Sequence, residues 1–271
     1  MTLDWAVIPV AGSGTRMLPA SAVIPKALLP VGAWPMLHWV LDECVRAGIG
    51  GVAMIVGPDQ PLVREYVEVA IARGRGAEND DLARLGRGLA ELELEWVVQT
   101  EPRGVGHAFM LARPITGDSP YGVLLPDNWF EAKPGAIAQV TTAFERTGHC
   151  AFGLTRVDPE EAWLFGNVGG VELDSAGGDT YRVVGLQDKL PGTFDAEQPV
   201  LRGCARYVVD GRFYDALDAT GPPPDGEWDD VPAFQALIAA DGLAAQHIQG
   251  RHYDVGHMAG YLRAAAYLAE R

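Results

Sequence analysis

The chain has 271 residues, a formal net charge of −15 and 48% hydrophobic residues. That length can bury a substantial core, as one large α/β domain or two smaller ones. Such acidity argues against nucleic-acid and anionic-membrane partners, since both reward a basic face. Cys44, Cys150 and Cys204 lie far apart, with no metal-ligand spacing and no even count. Reduced thiols in a cytoplasmic chain are the expectation. No apolar run reaches membrane-spanning length, and a first strand starting near residue 5 leaves no room for a signal peptide.

Residues 5–10 form an apolar run that predicts a buried first strand. Residues 36–47 have amphipathic helical spacing, closed by Gly48 at the C′ position. Residues 52–56 predict a second strand, and 60–73 a helix with Leu62, Val63, Tyr66, Val67 and Ala70 on one face. Between 74 and 95 the composition shifts to charge and glycine, which predicts a surface excursion with one short helix. A short strand at 95–99, a helix at 106–113 and a very apolar strand at 121–126 follow. This βαβαβ rhythm predicts a mostly parallel sheet with right-handed crossovers. Ligands of such sheets sit beyond the strands' carboxyl ends. Gly12, Gln99 and Asp127 each follow a predicted strand, so one rim should gather all three. The second half reads as short strands at 152–157, 168–173, 181–187 and 202–209, with a hairpin turn at Ser175-Ala176-Gly177-Gly178. Helices are predicted at 211–219, 231–241 and 257–270.

Ala11-Gly12-Ser13-Gly14-Thr15-Arg16 follows the first strand, with Lys26 ten residues beyond Arg16. Glycines let backbone N–H groups approach an anion closely. Arg16 adds a fork-shaped cation and Lys26 a point cation, both suited to a triphosphate. A dinucleotide fingerprint would need a third glycine, and a P-loop would need Gly-Lys-Ser/Thr.

The run Gly12-Ser13-Gly14-Thr15-Arg16-Met17-Leu18-Pro19, with Ile24-Pro25-Lys26-Ala27-Leu28-Leu29-Pro30, resembles the signature of the bacterial sugar-1-phosphate nucleotidylyltransferases. Within that family it is most similar to the UTP–glucose-1-phosphate uridylyltransferases, then to the glucose-1-phosphate thymidylyltransferases. The likeness extends along most of the chain. It implies a single α/β, Rossmann-like nucleotidyltransferase domain over residues 1–271, with a mostly parallel central sheet and a small β-rich sugar-binding region. Residues 1–130 would be the nucleotide-binding half and 150–271 the sugar-phosphate-binding half.

The resemblance assigns roles residue by residue. Ala11, Gly12, Ser13, Gly14 and Thr15 would hold the nucleotide, and Gln99 and Gly104 its base. A side-chain amide can pair with a pyrimidine edge, and UTP and dTTP share that edge. Asp127, in Leu125-Pro126-Asp127-Asn128, and Asp254, in Tyr253-Asp254-Val255-Gly256, align with the family's Mg²⁺-binding aspartates. The plain alternative for each is a helix cap. Lys189 resembles the lysine that contacts the sugar-1-phosphate. Asp188 stands where the family has Glu, and Leu190 where it has Pro. Gly166, after Phe165, resembles a glycine whose backbone approaches the sugar, and Gly226-Glu227 a Gly-Glu pair before a helix. Asp230-Val231-Pro232 replaces Leu-Thr-Asp, and His257 replaces Asn or Thr. These departures cluster on the sugar side. His107 is read as structural.

The expected reaction moves a nucleotidyl group from UTP or dTTP to a hexose-1-phosphate, in the simplest case glucose-1-phosphate giving UDP-glucose, with release of pyrophosphate. Arg16 would neutralise the departing phosphates, Lys26 and Lys189 would hold the sugar phosphate, and no protein nucleophile is needed. Nucleoside triphosphate and sugar-1-phosphate are the implied partners, with a homo-oligomer (dimer or tetramer) left open. Three rivals stand beside this reading. A different sugar-1-phosphate fits the departures equally well. A non-catalytic nucleotide-sugar sensor draws on the altered segments and is opposed by both surviving aspartates. A dehydrogenase fails on the missing glycine and on the Arg16/Lys26 pair.

Overall fold

The computed structural model describes residues 1–74, 80–159, 170–186, 199–240 and 242–270. Strand β1 (Trp5–Pro9) leads into a long loop that contains the two-residue strands β2 (Pro30–Val31) and β3 (Trp34–Pro35). Helix α1 (Met36–Ala47) follows and ends at Gly48, whose φ of 71° confirms the predicted left-handed stop. Next come β4 (Gly51–Val56), α2 (Pro61–Gly74), α3 (Asp80–Glu91), β5 (Glu93–Val98), α4 (Val105–Thr116) and β6 (Tyr121–Leu124). Beyond them lie β7 (Asn128–Ala132), α5 (Ala136–Thr147), β8 (Cys150–Val157), β9 (Val171–Ser175), β10 (Thr180–Leu186) and β11 (Val200–Val209). Helices α6 (Gly211–Thr220) and α7 (Val231–Ala239), strands β12 (Leu243–His247) and β13 (Gly250–Asp254), and α8 (Met258–Ala269) complete the described elements.

Nine strands form one sheet in the order β5-β4-β1-β6-β11-β8-β12-β10-β9. Strands β5, β4, β1 and β6 are parallel, as the βαβ rhythm predicts, and β12 is parallel to β8. Strands β11 and β10 run against their neighbours. The second-half strands therefore extend the same sheet. The predicted turn between β9 and β10 is present, with Gly177 at φ 100° and Gly178 at φ 60°.

Alternate residues of the central strands face opposite layers, the period-2 consequence of the pleat. Ala6, Ile8 and Met54 pack with Leu37, Leu41 and Ile137 from α1 and α5. Val7, Ala53 and Ile55 pack with Phe109, Phe213 and Phe234 from α4, α6 and α7. Burial on both faces explains why these strands read as unbroken apolar runs.

The predicted surface excursion is corrected. Helix α3 buries Leu85 and Leu89 in the core. A Cβ at Gly86 would stand 2.5 Å from the Gly74 Cα, and one at Gly88 would stand 2.3 Å from Val45 Cγ1. The glycines that read as loop signals are contact points where α3 meets α2 and α1.

Strands β7 and β13 were not predicted, and they form a separate antiparallel ribbon that pairs Asp254 with Asn128 and Arg251 with Glu131. Beneath it lies a third apolar cluster of Met17, Val31, Met36, Trp129, Val255 and Ala264. That cluster supports the underside of the glycine-rich loop. No helix among the described residues is long and apolar enough to cross a membrane.

Candidate active site

The rim predicted from the strand order exists. The parallel strands β5, β1 and β6 deliver Gln99, the Ala11–Thr15 loop and Asp127 to one edge of the sheet. Gly14 takes φ 68°, a left-handed turn natural to glycine, and Ser21 Oγ donates to its carbonyl at 2.7 Å. A Cβ at Gly12 would meet nothing within 4 Å, so its backbone lies open to the space in front of it. Fully buried Met17 anchors the turn of 3₁₀ helix that carries Thr15 and Arg16.

Two adjoining cavities meet at Asp127. One, of about 230 Å³, is lined by Ala11, Gly12, Ser13, Lys26, Gln99 and Gly104 among others. The other, of about 530 Å³, includes Arg16, Arg202, Tyr207, Asp230 and Asp254. Asp127, Leu125 and Glu227 line both. Of the nucleotide residues predicted from sequence, Ala11, Gly12, Ser13, Gln99 and Gly104 border the first space and Gly14 and Thr15 do not, while Arg16 and Asp254 border the second. Lys189, Asp188 and Gly166 lie outside the described residues.

The helix-cap readings of both aspartates fall away. Asp127 is followed by strand β7, and the cap of α8 is His257, whose Nδ1 accepts from Gly260 N–H at 3.2 Å. Ribbon pairing brings the two carboxylates together, and Val255 N–H donates to the Asp127 carbonyl at 2.8 Å. A Cβ on Gly256 would stand 2.8 Å from Asp127 Oδ2 and 3.1 Å from Asp254 Oδ1. Glycine in Asp-x-Gly therefore keeps a gap between two carboxylates that any side chain would fill.

Two of the three cations assigned to phosphates, Lys26 and Arg16, sit on Asp127. Lys26 Nζ lies 2.7 Å from Oδ2, and an Arg16 nitrogen lies 3.5 Å away. Burial works to raise the Asp127 pKa. The charges of Lys26 and Arg16, with hydrogen bonds from Lys26 and Asn128, overcome it and hold the carboxyl well below the usual range. The result is a balanced cluster in which the cations stand ready beside an ionised oxygen pair.

Residues that the sequence reading left without a role brace this cluster. Arg206, only 1% exposed, donates to the carbonyls of Leu125, Ala205 and Asn128 and to Glu43 Oε2. Glu43 Oε1 accepts from Ile137 N–H at the start of α5. Arg206 therefore clamps both sides of the turn that carries Asp127. His252 Nε2 lies 2.7 Å from Asn128 Oδ1, and Asn128 Nδ2 donates to Asp127 Oδ1 at 3.0 Å. Burial, with the nearby charges of Arg202 and Arg206, pushes the His252 pKa well down, so the ring is neutral and donates that bond. The available signal was two arginines, Arg202 and Arg206, in a strand that is otherwise largely apolar and small.

The base-side loop is equally fixed. Gly104 takes φ 95°, and a Cβ there would stand 2.5 Å from the Trp228 nitrogen. Trp228 N–H donates to the Arg103 carbonyl, and Gly106 N–H donates back to the Trp228 carbonyl. Gln99 Nε2 donates to the Gly104 carbonyl at 3.0 Å.

Residues 5–271 match the Nucleotidyl transferase family. The chain belongs to that family. It is 30% identical to UTP–glucose-1-phosphate uridylyltransferase 2 of Staphylococcus saprophyticus, over 95% of this chain and 89% of that protein. It is likewise 30% identical to the Escherichia coli K12 UTP–glucose-1-phosphate uridylyltransferase, over 96% of this chain and 88% of its relative. Among solved structures, the UTP-bound UGPase of Acinetobacter baumannii matches with a TM-score of 0.81 at 26% identity, covering 98% of this chain and 93% of that one. A UDP-glucose pyrophosphorylase complexed with UDP-glucose matches in fold, with a TM-score of 0.86 at 22% identity over 99% and 100% of the two chains. The sequence resemblance and the α/β fold class are both borne out, and nucleotidyl transfer is the chemistry of the family.

Proposed function

We propose that this nucleotidyl transferase moves the uridylyl group of UTP to glucose-1-phosphate, giving UDP-glucose and pyrophosphate. The observation that carries the reading is the meeting of two cavities at Asp127, one bordered by the glycine-rich loop and Gln99, the other by Arg16 and Asp254. The 30%-identical relatives are UTP–glucose-1-phosphate uridylyltransferases, which supports UTP and glucose-1-phosphate as the pair.

The sugar phosphate oxygen attacks the α-phosphorus in line, and the bond to the bridging oxygen of pyrophosphate breaks. A phosphate dianion is already nucleophilic, so the protein supplies position and charge. Burial pushes the Cys150 and Cys204 thiols up to about 12, which removes both as nucleophiles at neutral pH. A polyphosphate offers Arg16 and Lys26 more charge than one carboxylate does, so its arrival would draw them off Asp127 Oδ2. Lys26 and Lys189 would then offset repulsion between two anions. Unit charges 4 Å apart repel by about 4 kcal/mol at an effective dielectric near 20.

Mg²⁺ fits the gap that Gly256 keeps open, since Asp127 and Asp254 offer the hard oxygens it prefers. Once bound, it would supply charge neutralisation across the reacting phosphates. Glu227, which borders both cavities, and Asp188 would meet sugar hydroxyls. A cytoplasmic setting is part of the reading, supported by three cysteines that are all buried and unpaired.

The test is pyrophosphate release with Mg²⁺ across UTP, dTTP, ATP, CTP and GTP, each with a panel of hexose-1-phosphates. Turnover confined to UTP and glucose-1-phosphate is expected. Turnover with dTTP or another sugar would reassign the substrate, and silence alongside tight nucleotide-sugar binding would leave a sensor.

A further inference from the structure

His107 has no part in the chemistry above, yet its ring is placed against the one side chain assigned to the base. Gln99 Nε2 donates to the Gly104 carbonyl at 3.0 Å and lies 3.2 Å from His107 Nδ1. The Gly104 oxygen can only accept, so the amide nitrogen must face it. Its second hydrogen then points at His107, whose Nδ1 must carry a lone pair, leaving the ring proton on Nε2. Both amide hydrogens are spent. Gln99 Oε1 has no hydrogen bond among the described residues, and Gln99 borders the 230 Å³ cavity.

We propose that His107 is a positioning residue that fixes the Gln99 amide carbonyl-outward, so that the base site selects a ring donating at N3 over one accepting there. This rests on the reading of that cavity as the base site. Uracil and thymine carry N3–H and can donate to Oε1. Cytosine N3 is a lone pair, and against Oε1 it meets a second lone pair. Admitting cytosine requires the amide to turn over, which sets Oε1 against two acceptors at once, the Gly104 carbonyl and His107 Nδ1. With Gln99 only 7% exposed, each unmade or repulsive contact there weighs against the turned form. The Gly104 oxygen is held by the positive φ of its own residue and by the Trp228 backbone, so it cannot swing away. His107, on the first turn of α4, supplies the other half of the constraint.

The experiment is calorimetric binding of UTP and CTP to the wild type, His107→Phe and His107→Asn, with turnover measured in parallel. Phenylalanine keeps a ring and removes the acceptor. Asparagine restores an acceptor close to the place of Nδ1. The wild type should prefer UTP, and His107→Phe should lower that preference by about tenfold, the factor that one hydrogen bond of this class represents. His107→Asn should restore the preference to within about threefold of wild type, which a merely space-filling role would not produce. His107→Ala serves as a second acceptor-free variant should phenylalanine disturb α4, as a thermal melt would reveal. An unchanged UTP/CTP ratio in an acceptor-free variant that folds overturns the proposal, as does a wild type with no preference. Binding that follows this pattern without turnover would instead leave the proposal standing and remove the catalytic reading.

Discussion

The two sides of the site are built by different rules. On the side proposed for the nucleotide, most groups come from short segments at the ends of parallel strands: Ala11, Gly12 and Ser13 after β1, and Gln99 with Gly104 after β5. On the other side the groups are assembled from afar. Asp254 arrives by a ribbon paired with β7, Arg202 and Arg206 by the antiparallel β11, and Asp230 by the start of α7. The first construction draws its groups from local segments, with Trp228 packed against one and Val255 and Ala264 in the apolar cluster under the other. The second depends on a web of buried polar contacts in which one loss moves several groups.

Four perturbations would break or sharpen that contrast. The largest effect should come from Arg206→Met, which removes the charge partner of part-buried Glu43 and releases the carbonyls of Leu125, Ala205 and Asn128. Breaking a buried pair of this kind costs about 3–5 kcal/mol, so chemical denaturation should show a loss of that size with activity falling in step. A loss under about 1 kcal/mol would show that the web is less interdependent than its contacts imply. Arg16→Ala should act mainly on rate. Its side chain is 61% exposed and its ion pair to Asp127 is 3.5 Å long, so kcat should drop by about 10²-fold while stability falls by less than about 1 kcal/mol.

Acid should act next, through Asp127. Its folded pKa lies below its unfolded one, so its contribution to stability is complete above the ordinary carboxylate range. That contribution fades as pH falls from the unfolded value toward the folded one. Denaturation curves between about pH 5 and pH 2 should therefore lose less stability in Asp127→Asn than in the wild type. The smallest effect on the fold belongs to Gly12→Ala. With open space around the new Cβ, stability should shift by no more than about 0.5 kcal/mol, while KM for the nucleotide rises. A large stability loss there would erase the contrast between the two sides.

Legibility in the sequence follows the same division. The Gly12–Lys26 run and the strands around it could be read because motif, spacing and turn chemistry are all local. Gly104 was read as part of the base loop, although its reason, the approach to Trp228, was not visible. Helix α3 was underestimated because Gly86 and Gly88 serve helix packing, and glycine signals a turn and a close contact with the same letter. The β7–β13 ribbon went unread because two five-residue strands pair across more than a hundred intervening residues. Asp127 and Asp254 could be paired through the family's Mg²⁺ but not through the ribbon that joins them. Arg206 announced itself only as a charge in an apolar strand, which marks a buried partner without naming it.

The apolar cluster beneath the glycine-rich loop also has a bearing on the order in which the molecule is made. Met17, Val31 and Met36 emerge early from the ribosome, whereas their companions Val255 and Ala264 emerge near the end of the described chain. Synthesis proceeds at roughly 5–20 residues per second, so the loop waits on the order of ten seconds or longer for its floor. A nascent chain can hold its first parallel strands long before the glycine-rich loop has its floor.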